Sequence, residues 1–496
     1  MIAGSAVVRL VRAPRHLNRP VRAGLTGVVL ALGIGASAML WPAFASAHGL
    51  VGRSYLPFPP WLFAWAAGAV LIVSFVGLGR LWSAPRLEHP APRRLFGSGR
   101  GARFFEPLCG AIGIAILALT VYSGIRGNQT PTANLTPTMV YVLFWVAVPV
   151  LSAFFGDVLR PLNPWRALAR AIAWVGRRTG TSGLVGEPLP YPGWLGRWPA
   201  VVGIFGFAWL ELVFINRDDP STLALLTAAY ALVQLVGMAF FGIERWSERG
   251  DAFAVTFNLF AHLAPFEYHD GTVYWRRPLS GLTSIETMPG TAPLLCTMIG
   301  TTTFDGASNG PVWRSVAPSI VRDFQRLGLS GPASLELTGA LGIAFCVLLV
   351  ATVYWLGIRG MQSVSGAHAT HELGTRFIHT IVPIAFGYLL AHYFSLLVTQ
   401  GQATASFISD PLGTGSNLFG TANVQIDWGL ISAAVIWYVQ VAALVSGHVS
   451  GLVAAHDRAL VVYGDVEEAA ESQRWMLLVM VTFTCFGLWL LSAVNT

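Results

Sequence analysis

The sequence predicts an all-α fold, a polytopic integral membrane helix bundle. Three observations lead there. Only 11% of the 496 residues are charged while 54% are hydrophobic, whereas a soluble domain carries about 25% charged residues. The apolar residues fall in blocks close to the ~20 residues that a membrane helix needs. Tryptophans stand near many block ends, at Trp61, Trp82, Trp198, Trp355, Trp428 and Trp475. An indole is apolar with one polar edge, so it settles at the membrane interface.

The elements follow in chain order. Residues 1–22 hold Arg9, Arg12, Arg15, Arg19 and Arg22 and no acid. An apolar stretch runs from Ala23 to Ala43 and ends in Ala45-Ser46-Ala47. That is the pattern of a secretory signal peptide; the other reading is an uncleaved first helix. Removal of 1–47 leaves 48–496 as a single transmembrane domain. Ten mature spans are expected, at 60–80, 107–125, 137–156, 198–216, 222–243, 290–304, 335–358, 376–399, 429–456 and 475–494. The sixth is short and rich in threonine. Two short amphipathic helices are expected on the cytoplasmic surface. One lies near 164–176, with Asn163 as cap and Pro164 as first residue. The other lies near 251–264, capped by Asp251 and bearing Phe253, Phe257 and Phe260. The segment 400–428 reads as a polar loop, and no internal repeat is evident.

Orientation follows from the arginines. All 31 basic residues are arginine, the mark of a GC-rich bacterial genome, since lysine codons are A-rich. With the mature N-terminus outside, the cytoplasmic segments hold 20 arginines and the external ones 6. Cytoplasmic loops carry such an excess. The exception is 305–334, with three arginines outside. The chain is therefore expected in a bacterial plasma membrane with both mature termini extracytoplasmic. Signal removal also lowers the net charge from +7 to +2, with 26 arginines against 24 acids. The basic balance is a topology signal, and nucleic acid is not an expected partner; the partners are the bilayer and membrane subunits. Cys109, Cys296, Cys346 and Cys485 each stand alone in apolar sequence, so neither a disulfide framework nor a zinc motif is encoded.

Ionisable groups inside spans are costly and mark function by default. The candidates are Glu211, His379, His392 and His448, with Gln440 as a neutral companion. A helix rise of ~1.5 Å per residue sorts them by depth. His379 and His448 form an inner layer, ~13 and ~9 Å toward the cytoplasm. His392, Glu211 and Gln440 form an outer layer, within ~6 Å of the midplane. His456, Asp457 and Arg458 lie at the cytoplasmic end of the ninth span. Neutral imidazoles bind transition metals, so His392, His448 and His379 could ligate copper or zinc. A His/Glu chain could instead relay protons. A single haem between His379 and His448 is a third option. Close packing is the bland alternative, since Gly447 and Gly451 form G-x-x-x-G around His448. A mature N-terminal His48 would offer amine and ring nitrogens to copper.

Other motifs are weaker. Gly306–Gly310 matches G-x-S-x-G but follows a membrane span with no strand before it. His368, His371 and Glu372 read as a polar lead-in to the eighth span, or as a surface metal site.

Several phrases together resemble a family of large actinobacterial membrane proteins, some labelled fenitrothion hydrolase. They are AHGLVGR, ERGDAFAVTFNLFAHLAPF at 248–266, TTFDGASNGPVW at 302–313, LAHYFSLLVTQGQ at 390–402 and IWYVQVAALVSGHVSGLVAAHDRAL at 436–460. The label implies metal-assisted phosphotriester hydrolysis. The sequence itself points first to a membrane protein whose buried His/Glu/Gln site handles a metal ion or protons. A membrane hydrolase is the enzyme alternative, and a structural or accessory subunit the third.

Overall fold

The computed structural model describes residues 60–494, apart from 89–91, 98, 181–186, 270–271 and 367. The expected signal peptide and His48 lie outside the described residues.

The described chain is mostly helical. In order come α1 (Pro60–Leu81), α2 (Gly99–Arg126), α3 (Leu135–Phe155), α4 (Pro164–Thr179), α5 (Trp198–Leu212), α6 (Pro220–Phe241) and α7 (Ile243–Arg249). Then follow α8 (Ala252–Ala261), α9 (Thr291–Ser308), α10 (Pro311–Arg326), α11 (Gly331–Ser365), α12 (Val382–Gln400), α13 (Ala433–Tyr463) and α14 (Val466–Val494). Their starts are set by polar caps. Side chains of Asn163, Asp219, Asp251, Ser330 and Ser432 accept from free N–H groups in the first turns of α4, α6, α8, α11 and α13, as orphan donors require. Left-handed Gly180, Gly366 and Gly464 end α4, α11 and α13, because glycine takes that conformation without a Cβ clash.

Among the described residues, six segments are long and apolar enough to cross a membrane by length and composition: Phe104–Arg126, Leu135–Phe155, Pro220–Phe241, Gly331–Val364, Thr370–Ser409 and Ala433–Tyr463. Large apolar side chains such as Leu225, Leu232, Phe345 and Leu348 face outward. Apolar surface on that scale signals lipid or another protein.

Three features differ from expectation. The chain is not purely helical: β1 (Arg93–Gly97), β2 (Phe266–His269) and β3 (Thr272–Trp275) form an antiparallel sheet in the order β1-β3-β2. The sequence Thr-Val-Tyr-Trp of β3 suits a strand, but four residues are too few to show periodicity. Second, the helix at 251–264 is not on the surface. Phe257 and Phe260 of α8 are fully buried among α3, α5 and α12, because nearly every position of α8 is apolar and no face is left for water. Third, the arginine-bearing 305–334 segment holds α10, an amphipathic helix with no buried residue. Arg314, Arg322 and Arg326 all lie on this surface helix. The helix expected near 164–176 is present as α4. Its inner side presents Trp165 and Arg166, while Ile172, Trp174 and Val175 face out.

The most extensive helix contact is between α12 and α13. It depends on glycines. A Cβ on Gly447 would sit 2.7 Å from the Pro383 carbonyl oxygen, and one on Gly387 2.9 Å from that of Ala443. Both are backbone atoms that cannot swing away. Gly447→Ala is expected to destabilise the protein by about 1–3 kcal/mol through overpacking, seen as a lower thermal midpoint in detergent. An unchanged midpoint would mean that the two helices are free to separate. At the other side, α1 packs against α14 and α13, so the first described helix rests on the last two.

Candidate functional site

Four helices place polar groups together. On α12, His392 is followed by Tyr393, which is almost fully buried. On α9, Asp305 lies in the last turn. On α5, Glu211 is the penultimate residue. The π-helical stretch Thr138–Ala147 within α3 supplies Tyr141 and Trp145. Wide helical turns of this kind recur at functional sites.

The central contact joins His392 and Asp305. The His392 Nε2 lies 2.6 Å from the Asp305 Oδ2. Both side chains are about a fifth exposed, at 18% and 22%. Glu211 interacts electrostatically with Asp305 and is in polar contact with the Tyr393 hydroxyl. Aromatic rings wall the group: Tyr393 meets Trp145 edge-on at 6.5 Å, and Trp145 meets Phe207 at 4.7 Å. Two carboxylates and one imidazole therefore share a mostly apolar setting. The threonine-rich sequence of α9 does not prevent the helix. Thr301, Thr302 and Thr303 donate back to carbonyls one turn earlier, so their hydroxyls are satisfied within it.

Sequence reasoning placed His392 and Glu211 in one layer but left Asp305 out of it, as a residue one position beyond the expected sixth span. The helix in fact continues to Ser308. The G-x-S-x-G phrase is its C-terminal turn: the Ser308 Oγ donates to the Asp305 carbonyl at 2.8 Å. No strand-to-helix elbow exists there. Gln440 is buried on α13 but forms no hydrogen bond to His392 or Glu211.

No hydrogen bond joins the two histidines of the expected inner layer. His448 is fully buried, and its Nδ1 lies 2.9 Å from the Leu444 carbonyl oxygen. His379 is buried in the tight turn Ile378–Ile381 before α12. The cavity beside His448 has a volume of about 40 Å³ and His379 is not among its walls. It is too small for haem. Among the described residues, no three His, Cys, Asp or Glu side chains are grouped to hold a metal ion. The expected metal set of His379, His392 and His448 forms no such group.

His456, Asp457 and Arg458 hold a loop. The Asp457 carboxylate accepts from the Trp82 Nε1 at 2.9 Å, the Arg86 N–H at 2.6 Å and the Leu87 N–H at 3.0 Å. His456 Nε2 is 3.0 Å from the Trp82 carbonyl oxygen, and Arg458 pairs with Glu88 at 3.1 Å. Asp457→Ala is expected to orphan all three donors and cost about 2–3 kcal/mol. Faster protease cleavage after Trp82 is the readout; unchanged cleavage would mean that the loop is held by other contacts. His368 lies 3.5 Å from Glu372, which also pairs with Arg376, consistent with a polar lead-in.

Ion pairs gather at the side of the arginine-rich loops. Arg166 and Arg170 reach Glu244 at 3.0 and 2.8 Å, and Arg170 also reaches Glu106 at 2.9 Å. Burial alone would raise the Glu244 pKa, but the two guanidiniums outweigh it and hold the carboxyl below its usual range. The stabilisation is thus present above the ordinary glutamate pKa and is lost as pH falls through the lowered one.

Comparison with known proteins finds no match to a family model, a curated protein or a solved structure. The site must be read from its own geometry.

Proposed function

We propose that this chain is a bacterial plasma-membrane protein of ten spans, made with a cleaved signal peptide, that handles protons at the His392–Asp305 pair. One observation carries the reading: an imidazole and a carboxylate 2.6 Å apart, with a second carboxylate beside them, between helices. Histidine exchanges protons near neutral pH, and such chains within spans serve as proton relays. In this reading Asp305 orients the ring and accepts its N–H. Glu211 supplies a second exchangeable proton, with Tyr393 holding its carboxyl. In this reading the partly exposed edges of His392 and Asp305 are where protons enter and leave the pair. The extracytoplasmic placement of both termini rests on the arginine bias.

The test is direct. The purified protein is reconstituted into liposomes enclosing a pH-sensitive dye, and an inward proton gradient is imposed. Proton entry that requires His392 and Asp305 is expected. Entry no faster than in empty liposomes would overturn the reading. Phosphotriester hydrolysis rests on the sequence resemblance alone, and a chromogenic phosphotriester added to the same preparation tests it.

A further inference from the structure

The cavity beside His448 is left unused by the proton reading. It opens where α9, α11, α12, α13 and α14 meet, and its walls include Ile299, Tyr354, Ile384, His448, Met476 and Met480. His392 and Asp305 are not among them.

The chemistry of the ring is fixed by its helix. A carbonyl oxygen only accepts, so His448 Nδ1 must carry the proton that it gives to Leu444. The Nε2 of the neutral ring is then a bare lone pair. That nitrogen is buried and has no hydrogen-bond partner. The other polar wall group cannot serve it, because the Tyr354 hydroxyl donates to the Gly374 carbonyl at 2.8 Å. A buried water needs about 2–4 polar partners, and this cavity offers one. Water is a poor occupant.

The remaining donors are soft. Met476 and Met480 are four residues apart on α14, so their side chains share one face. Both are almost fully buried. Thioethers with an imidazole select Cu(I) among biological metals. Zn(II) would bring two charges to walls that hold no carboxylate or thiolate to balance them. A hydrogen bond on the opposite ring nitrogen is also how ligating histidines are oriented.

We propose that this cavity binds Cu(I), with His448 Nε2 and the thioethers of Met476 and Met480 as ligands. The site is separate from the proton-handling pair and does not depend on it.

The test uses the full chain in detergent, without oxygen, with Cu(I) supplied in competition with a chromogenic Cu(I) chelator. One tightly held Cu(I) per chain is expected, with nitrogen and sulfur neighbours in its X-ray absorption spectrum. The Met476→Leu/Met480→Leu double variant conserves volume, so it keeps the fold; size-exclusion chromatography checks this. It should lose affinity by roughly 100-fold or more while its proton movement in liposomes matches wild type. A wild-type protein that takes up no stoichiometric Cu(I) would overturn the proposal. So would a double variant that binds as tightly as wild type, or a spectrum lacking sulfur. Failure of proton movement with Cu(I) binding intact would strike the proton reading alone.

Discussion

Liposomes carrying Asp305→Asn are expected to admit protons about 100-fold more slowly than wild type, the scale of losing one positioned proton-transfer group. The substitution is nearly isosteric. Its amide oxygen still accepts from the His392 ring across the 2.6 Å contact, so helix packing and ring position should persist. Only the capacity to take and release a proton is removed. Glu211→Gln should slow entry less, because it leaves the His392–Asp305 contact in place. Normal entry with Asp305→Asn would show that the pair is a packing contact. Equal, complete loss in both variants would show that the two acids act as one unit.

The polar residues of this site were only partly legible in the chain. Glu211 and His392 stand out because each is an ionisable group inside an apolar run. Asp305 did not, because Gly306, Ser308, Asn309 and Gly310 follow it and read as loop. Tertiary packing carried α9 on to Ser308. His379 and His448 looked like partners by depth alone. Depth does not specify which face a side chain occupies, and only His448 lines the cavity between the helices. The helical architecture was the most legible part, since hydropathy blocks and caps act locally. The sheet was not, because it joins residues near 95 to residues near 270. The same distance in sequence hid the role of Asp457, whose donors lie more than 360 residues earlier.

Asp251→Ala is expected to be the most damaging substitution for stability, at about 3–5 kcal/mol. The carboxylate is fully buried and gathers five donors. Tyr230 Oη gives to one oxygen at 2.9 Å, and the N–H groups of Phe253 and Ala254 give to the same oxygen at 3.2 Å each. Asn163 Nδ2 gives to the other at 3.1 Å, and Trp165 Nε1 also gives to it. Alanine would strand all five and leave α8 without a cap, loosening α4 and α6 from the core. Asp251→Asn keeps one acceptor oxygen, so it should recover part of the loss. Denaturant unfolding followed by tryptophan fluorescence separates the two. Equal stability of wild type and the alanine variant would show that water reaches these donors.

The packing of α1 against α13 and α14 bears on how the protein is made. The ribosome finishes α1 some 350 residues before its helical partners exist. During that interval α1 must be sheltered by lipid or by the insertion machinery, with Trp82, Arg86 and Leu87 still lacking the carboxylate of Asp457. The packing around α1 closes only when α13 and α14 have been made. A chain truncated before α13 should therefore insert its early helices yet be cleared by quality-control proteases.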